Sequence, residues 1–242
     1  MPSLRIRLLR HGRVASHRGD VPVTDEGLRE VEALGRRLAA EPEPGEVVVI
    51  LTTATLRARE TAIALYQSMQ AALDERAGAV SVTVLPPAEE PAIRNPDIYI
   101  GGRRVEMVST GEAMAEQIPG SGLGAEDIDY LPFYREFFPH RDRVGYWVHH
   151  PDPPGEDADA VARRVKTFAA SLLDLPRERM RYICVTHSPL LRAFLSRYVL
   201  DHDPGEPRFM ESIDLAFPGD GSFVMRFRDV TKTIFLQDGR LL

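Results

Sequence analysis

The stretch Leu4-Arg5-Ile6-Arg7-Leu8-Leu9-Arg10-His11-Gly12 decides the architecture. Leu4, Ile6 and Leu8, with Leu9, read as a short buried strand over residues 4–9 that ends at Arg10-His11-Gly12. A histidine delivered just past a strand end sits at the edge of a sheet, where it can reach a ligand. Gly12 leaves room for a turn and for the close approach of an anion. Arg10 offers the planar, multi-donor recognition that phosphate oxygens favour. Taken alone, the tripeptide is equally a surface turn that happens to hold a cation and an imidazole.

Downstream, the same grammar repeats. Thr24-Asp25-Glu26-Gly27 has the form of a helix start, with Thr24 as N-cap and acids in the first turn. Leu28, Val31, Leu34, Gly35 and Leu38 recur at helical spacing, so an amphipathic helix extends to about residue 40. Val47 to Leu51 is a continuous β-branched run, as in a strand covered on both faces. Thr53-Ala54-Thr55 opens a helix with Arg57 in its first turns. Val80–Leu85 reads as a strand. Residues 156–173 read as a helix, 182–186 as a strand ending at Thr186-His187-Ser188-Pro189, and 189–199 as a helix. Ile213–Phe217, Ser222–Arg228 and Thr233–Leu236 read as a strand meander.

Strands alternating with helices predict an α/β three-layer sandwich: a mostly parallel central sheet with helices on both faces. The pattern loosens into prolines, glycines and aromatics between about 86 and 155, with a short helix near 111–118. That stretch is expected to be an insertion over the active-site end of a single domain spanning 1–242. In such folds ligands gather beyond the carboxyl ends of the strands, where Arg10-His11, Thr53 to Arg57, and His187 all fall.

Composition narrows the function. The chain has 242 residues, 30 basic and 36 acidic, for a formal net charge of −6. No basic excess is available for a nucleic-acid backbone, although a few arginines can still set a local field. The single cysteine, Cys184, lies in an apolar run and reads as a small buried hydrophobe. Arg5, Arg7 and Arg10 break any signal-peptide pattern, and no stretch has transmembrane length. A cytoplasmic protein with no nucleic-acid or membrane partner is expected. The oligomeric state stays open, a homodimer among the options. His149-His150 lacks an acidic or cysteine partner at ligand spacing, so no metal site is expected there.

In order along the chain, these segments resemble the histidine phosphatase superfamily, the phosphoglycerate-mutase-like group. Arg10-His11-Gly12 matches its Arg-His-Gly hallmark, and Thr24 with Gly27 its Thr-x-x-Gly helix start. Thr53 through Ala62 is close to its Ser-x-Leu-x-Arg-Ala-x-x-Thr-Ala stretch, with Thr in place of Ser. Val185-Thr186-His187 matches the late strand-His signature, and Pro154-Gly155-Glu156 followed by Arg163-Arg164-Val165 resembles the helix before it. The resemblance covers residues 4–85 and about 154–228.

It implies a metal-independent phosphohydrolase without cofactors, acting on a small phosphorylated substrate through a phosphohistidine on His11. Arg10, Arg57 and His187 would stabilise the phosphoryl oxygens, and the guanidinium charges would keep His11 unprotonated. Arg13, Ser16 and His17, together with Gly12 and Ser188, would be substrate-facing. The sequence departs from the family at the proton donor: Ile93-Arg94-Asn95 stands where many members carry Leu-x-Glu. Asp97 is then the expected acid, ahead of Glu89, Glu90 and Glu106. A mutase is a weaker expectation, because residues 86–118 lack an Asn-Glu-Arg-x-Tyr-Gly-like stretch. A phosphate-binding protein without turnover is the other.

Overall fold

The computed structural model describes residues 4–76, 81–175, 179–218 and 222–235. Its main sheet begins with β1 (Leu4–Arg10), followed by helix α1 (Asp25–Leu38), β2 (Val47–Thr52) and helix α2 (Leu56–Asp74). Two short strands, β3 (Thr83–Val84) and β4 (Ala88–Glu89), flank β2. Of the strand read over 80–85, residues 83–84 pair with β2, and Val80 lies outside the described residues.

The segment from 86 to 155 then contributes the hairpin β5 (Ile98–Ile100) and β6 (Arg103–Val105). It also holds four short helices: α3 (Gly111–Ala115), α4 (Ala125–Asp129), α5 (Pro132–Phe137) and α6 (Arg143–His149). Sequence periodicity finds one of the four, near 111. The other three, five to seven residues each, are not read from the sequence. The chain closes with α7 (Ala158–Ser171), β7 (Met180–Thr186), α8 (Ser188–Tyr198), β8 (Ser212–Phe217), β9 (Ser222–Phe227) and β10 (Val230–Phe235).

The strand order is β10-β9-β8-β1-β7-β2-β3, with β4 also on β2. Pairings of β1 with β7 and of β2 with β7, β3 and β4 are parallel. Those of β1 with β8, β8 with β9 and β9 with β10 are antiparallel, so the C-terminal meander extends a parallel centre. This is the α/β sandwich anticipated from the strand-helix alternation.

Period-two alternation sorts the side chains into two layers. Leu9, Ile183 and Val185 pack with Val31, Leu65 and Met69 of α1 and α2. Ile6, Leu8, Tyr182 and Cys184 turn to the opposite face and meet Val161, Val165, Leu190 and Phe194 of α7 and α8. Cys184 is fully buried, and desolvation pushes its thiol pKa up, as an inert core residue requires. Gly35 explains how α1 and α2 lie so close: a Cβ there would fall 1.9 Å from Ser68 Oγ.

The aromatics of the 86–155 segment pack on one another. Phe133 lies with ring centroids 5.1 Å from Tyr134 and 5.3 Å from Phe137, and Trp147 is fully buried with Nε1 donating to the Glu156 carbonyl at 3.0 Å. Tyr130 stands outside this cluster, 79% exposed. Arg164 of α7 ties the start of the segment down. It donates to the carbonyls of Ala92 at 2.7 Å and Asn95 at 3.4 Å while pairing with Glu156 at 2.9 Å.

Candidate active site

β1 and β7 are neighbours in parallel, with Arg10 opposite Thr186. The next residue on each strand is therefore a histidine leaving the sheet at the same end. The His11 backbone N–H continues the ladder by donating to the Thr186 carbonyl at 2.9 Å. The ring centroids of His11 and His187 lie 5.3 Å apart, and both residues are 2% exposed.

Each ring is oriented. Nδ1 of His11 lies 2.8 Å from the Gly12 carbonyl. A carbonyl only accepts, so Nδ1 carries the proton and Nε2 keeps its lone pair. Nε2 of His187 lies 2.9 Å from Thr53 Oγ1, on the turn after β2, while its buried Nδ1 has no partner in the protein. Burial first, then the field of Arg57, holds both imidazoles well below 6.5. Burial thus outranks the arginines that the sequence suggested as the cause of neutrality.

Arg10 and Arg57 flank the pair, 4% and 6% exposed. Desolvation lowers both guanidinium pKa values, yet arginine stays cationic. Nε of each is buried without a partner. Arg10 Nη1 donates to the Pro207 carbonyl, Nη2 pairs with Glu206 Oε1 at 2.7 Å, and the guanidinium lies 4.3 Å over the Phe209 ring. Arg57 Nη1 is 3.6 Å from Asp20. A buried cluster of cations with orphaned donors is poorly satisfied by the protein alone and suits a tetrahedral anion.

These four residues line one cavity of about 730 Å³, together with His17, Asn95 and Ser188, which opens α8. Its walls include Phe137 and residues 140–144 from the 86–155 segment, and Glu206 from the loop before β8. Among the described residues no group of three or more His, Cys, Asp or Glu is placed to hold a metal ion. Nor is any helix long and apolar enough to cross a membrane.

Other sequence expectations divide. His17 reaches the cavity, where desolvation and then Arg10, Arg57 and Arg143 bring its pKa to about 4; its ring keeps part of its surface in solvent, which moderates the first cause. Ser188 also reaches it, donating to Glu206 Oε2 at 2.6 Å. Gly12 does not offer its N–H to a ligand: that group donates to Thr61 Oγ1 at 2.9 Å, and a Cβ would meet Val31 at 3.0 Å, so the glycine serves packing against the helices. Arg13 turns to α1 and pairs with Glu30 at 3.0 Å, and Ser16 accepts from the Arg18 N–H at 3.4 Å; neither lines the cavity.

Asp97 is misplaced for an acid. Its carboxylate is pinned by Arg94 and Arg104, is absent from the cavity wall, and has its pKa drawn down to about 2, chiefly by the Arg94 hydrogen bond. A group that holds its proton so weakly is a structural anion. A depressed carboxylate contributes stability above the ordinary value of 3.8 and loses it as pH falls towards 2. Asp97→Asn is therefore expected to flatten the acid limb of stability between about pH 4 and 2 while leaving turnover of poor leaving groups intact; urea titrations across that range check it. Glu89 and Glu90 are likewise engaged, Glu89 with Arg59 at 3.7 Å and Glu90 capping the Ala92 N–H at 2.8 Å.

Two other carboxylates stand nearer: Glu206, which the sequence reading did not name, and Glu106, which it placed behind Asp97 and which is not among the residues lining the cavity. Glu206 lines the cavity between Arg10 and Ser188. Glu106 accepts from the buried Asn95 amide at 2.9 Å and is the first of the acids whose field acts on Arg57. Glu206 and Phe209 follow no motif. They meet Arg10 only because the loop before β8 folds back on it, with the Met210 N–H donating to the Arg10 carbonyl at 3.2 Å.

Residues 6–79 match the family model described as histidine phosphatase superfamily, branch 1. Over that span the chain is similar to the histidine phosphatases. The segment carries the Arg-His-Gly turn and Arg57; His187 and the helices behind it lie beyond it, and for them the fold is the guide. Two mycobacterial hydrolases share that fold. One is 16% identical, with 93% of this chain and 96% of that one covered and a TM-score of 0.52. The second is 19% identical, with 95% and 91% covered and a TM-score of 0.53. A phosphoglycerate mutase from Bacillus anthracis str. Sterne aligns at 11% identity over 99% of this chain and 94% of that one, TM-score 0.50. No curated protein sequence matches significantly. The α/β fold, with its mixed, parallel-centred sheet, is thus the one these structures share.

Proposed function

We propose that this protein hydrolyses a phosphomonoester through a phosphohistidine on His11. One observation carries the reading. A neutral imidazole has its Nδ1 tied to a carbonyl and its Nε2 free, beside two buried guanidinium groups and a second imidazole with unpartnered N–H capacity. The His11 Nε2 lone pair forms the P–N bond as the bond to the leaving oxygen breaks. Water then attacks phosphorus, the P–N bond breaks and inorganic phosphate departs. Arg10, Arg57 and His187 stabilise charge on the equatorial oxygens through donors already in place.

The leaving oxygen needs a proton. Glu206 takes that role here, because it lines the cavity beside Arg10 and so within reach of an anion held there. After departure the carboxylate accepts a proton from the attacking water. Glu206→Gln should slow an alkyl phosphate far more than a nitrophenyl phosphate, whose leaving group needs no proton. An equal loss on both would assign Glu206 to orienting Arg10 and move the donor to Glu106.

The direct test is an alkaline quench into denaturant during turnover of a labelled aryl phosphate in the presence of EDTA. The reading expects label on the protein that is acid-labile, base-stable and located at His11. Phosphate release without such an intermediate would refute it. A mutase shares the first half-reaction, so an added alcohol that captures the phosphoryl group in preference to water would favour that alternative.

A further inference from the structure

Four guanidinium groups face the cavity, and the phosphoryl chemistry above uses only Arg10 and Arg57. The other two, Arg141 and Arg143, come from the turn into α6, on the wall contributed by the 86–155 segment. Neither has an acidic partner among the described residues. Asp142 lies between them in sequence but spends both carboxylate oxygens on Arg192, at 2.6 and 2.7 Å. Arg143 anchors its Nε on the Phe138 carbonyl at 2.9 Å, which fixes the guanidinium while leaving its terminal nitrogens free. It stands close enough to act on the imidazole of His17, whose ring centroid is 6.2 Å from that of His11. The same cavity is also lined by the apolar side chains of Met107, Val108, Phe137 and Val144.

From this arrangement we infer that the cavity takes a phosphomonoester with a second anionic group, which Arg141 and Arg143 bind. The volume agrees: about 730 Å³ holds a small organic molecule and far exceeds a lone phosphoryl group. Two cations left unpaired on a concave surface raise the local concentration of anions and reward a ligand that neutralises them. The second anion is a carboxylate or another phosphate; both fit a planar two-nitrogen fork. The inference rests on the proposed phosphoryl site but not on turnover, so it is tested by binding.

The probes are benzylphosphonate, 4-carboxybenzylphosphonate with its methyl ester, and 1,4-xylylenebisphosphonate, titrated calorimetrically into the full chain. The dianionic head is common to all of them. The wild type should bind the carboxylate at least tenfold more tightly than the ester. Arg141→Gln/Arg143→Gln should collapse that ratio towards one, Arg143→Lys should retain part of it, and Arg103→Gln, on the distant hairpin, should retain it all. The bisphosphonate arm shows which second anion is preferred. Equal affinity for carboxylate and ester in the wild type, or a ratio that survives the double substitution, overturns the inference. If all four probes bind but phosphate esters are not hydrolysed, the subsite stands and the hydrolase reading fails.

Discussion

His11→Ala will lower kcat/KM for an aryl phosphate by at least about 10⁴-fold, roughly 5.5 kcal/mol of transition-state stabilisation. The size follows from what is removed. Without Nε2 there is no covalent intermediate, and the remaining arginines and His187 can bind the phosphoryl group but must await direct attack by water. Binding should change far less, because Arg10 and Arg57 hold the anion independently of residue 11. A variant with the wild-type urea midpoint, near-normal affinity for a phosphonate and residual activity within tenfold would eliminate His11 as the nucleophile. The same imidazole sets a pH signature. Burial and Arg57 hold its pKa well below 6.5, so the free enzyme keeps its nucleophile deprotonated as pH falls through that value. The unfolded chain takes up those protons and the native one does not. The stability contribution of His11 and His187 is therefore complete above about 6.5 and declines as pH falls below it.

Arg192→Met should cost about 3–5 kcal/mol of stability, read as a lower urea midpoint. Arg192 is 1% exposed in α8. It forks onto Asp142, before α6, and onto Asp203, in the loop before β8, where Nε meets Oδ1 at 2.8 Å. Burial alone would lower the arginine pKa, but the hydrogen bonds of the two carboxylates raise it above the ordinary value. Methionine fills the stem's volume and leaves the Asp203 carboxylate, 7% exposed, with its charge uncompensated. Arg192→Met/Asp203→Asn should recover part of the loss, since removing both partners spares the buried ion. A shift under 1 kcal/mol for the single variant would show that the fork does not hold these segments. Asp142 is drawn below the usual carboxylate range, chiefly by its Arg192 hydrogen bond. The Asp142 contribution is full above that range and fades as pH drops through the lowered value.

Much of this was legible before any coordinates. The parallel centre follows from two apolar strands that each end in a histidine and from the helix starts at Thr24 and Thr55. Two strands with equivalent exits place His11 and His187 at one sheet edge, and Arg57 in the first turn of the next helix joins them. What sequence could not show depends on pairs far apart in the chain. Arg164 clamping residue 95, Arg192 forking onto residue 142 and Glu206 meeting Arg10 have no periodicity to announce them. Asp97 misled because proximity along the chain to Asn95 says nothing about its capture by Arg94, three residues earlier, and by Arg104 of the hairpin. Nor does the sequence show that the Gly12 N–H is spent on Thr61 of α2.

The 5.3 Å between the two imidazoles is close to the roughly 4.8 Å that separates any two hydrogen-bonded strands. The backbone ladder therefore acts as a ruler for the catalytic pair, graduated by the peptide unit and indifferent to what the loops above it contain. Residues 86–155 supply part of the cavity wall and not that interval. On the proposed reading, substrate preference and bond-breaking power thus rest on different parts of the chain.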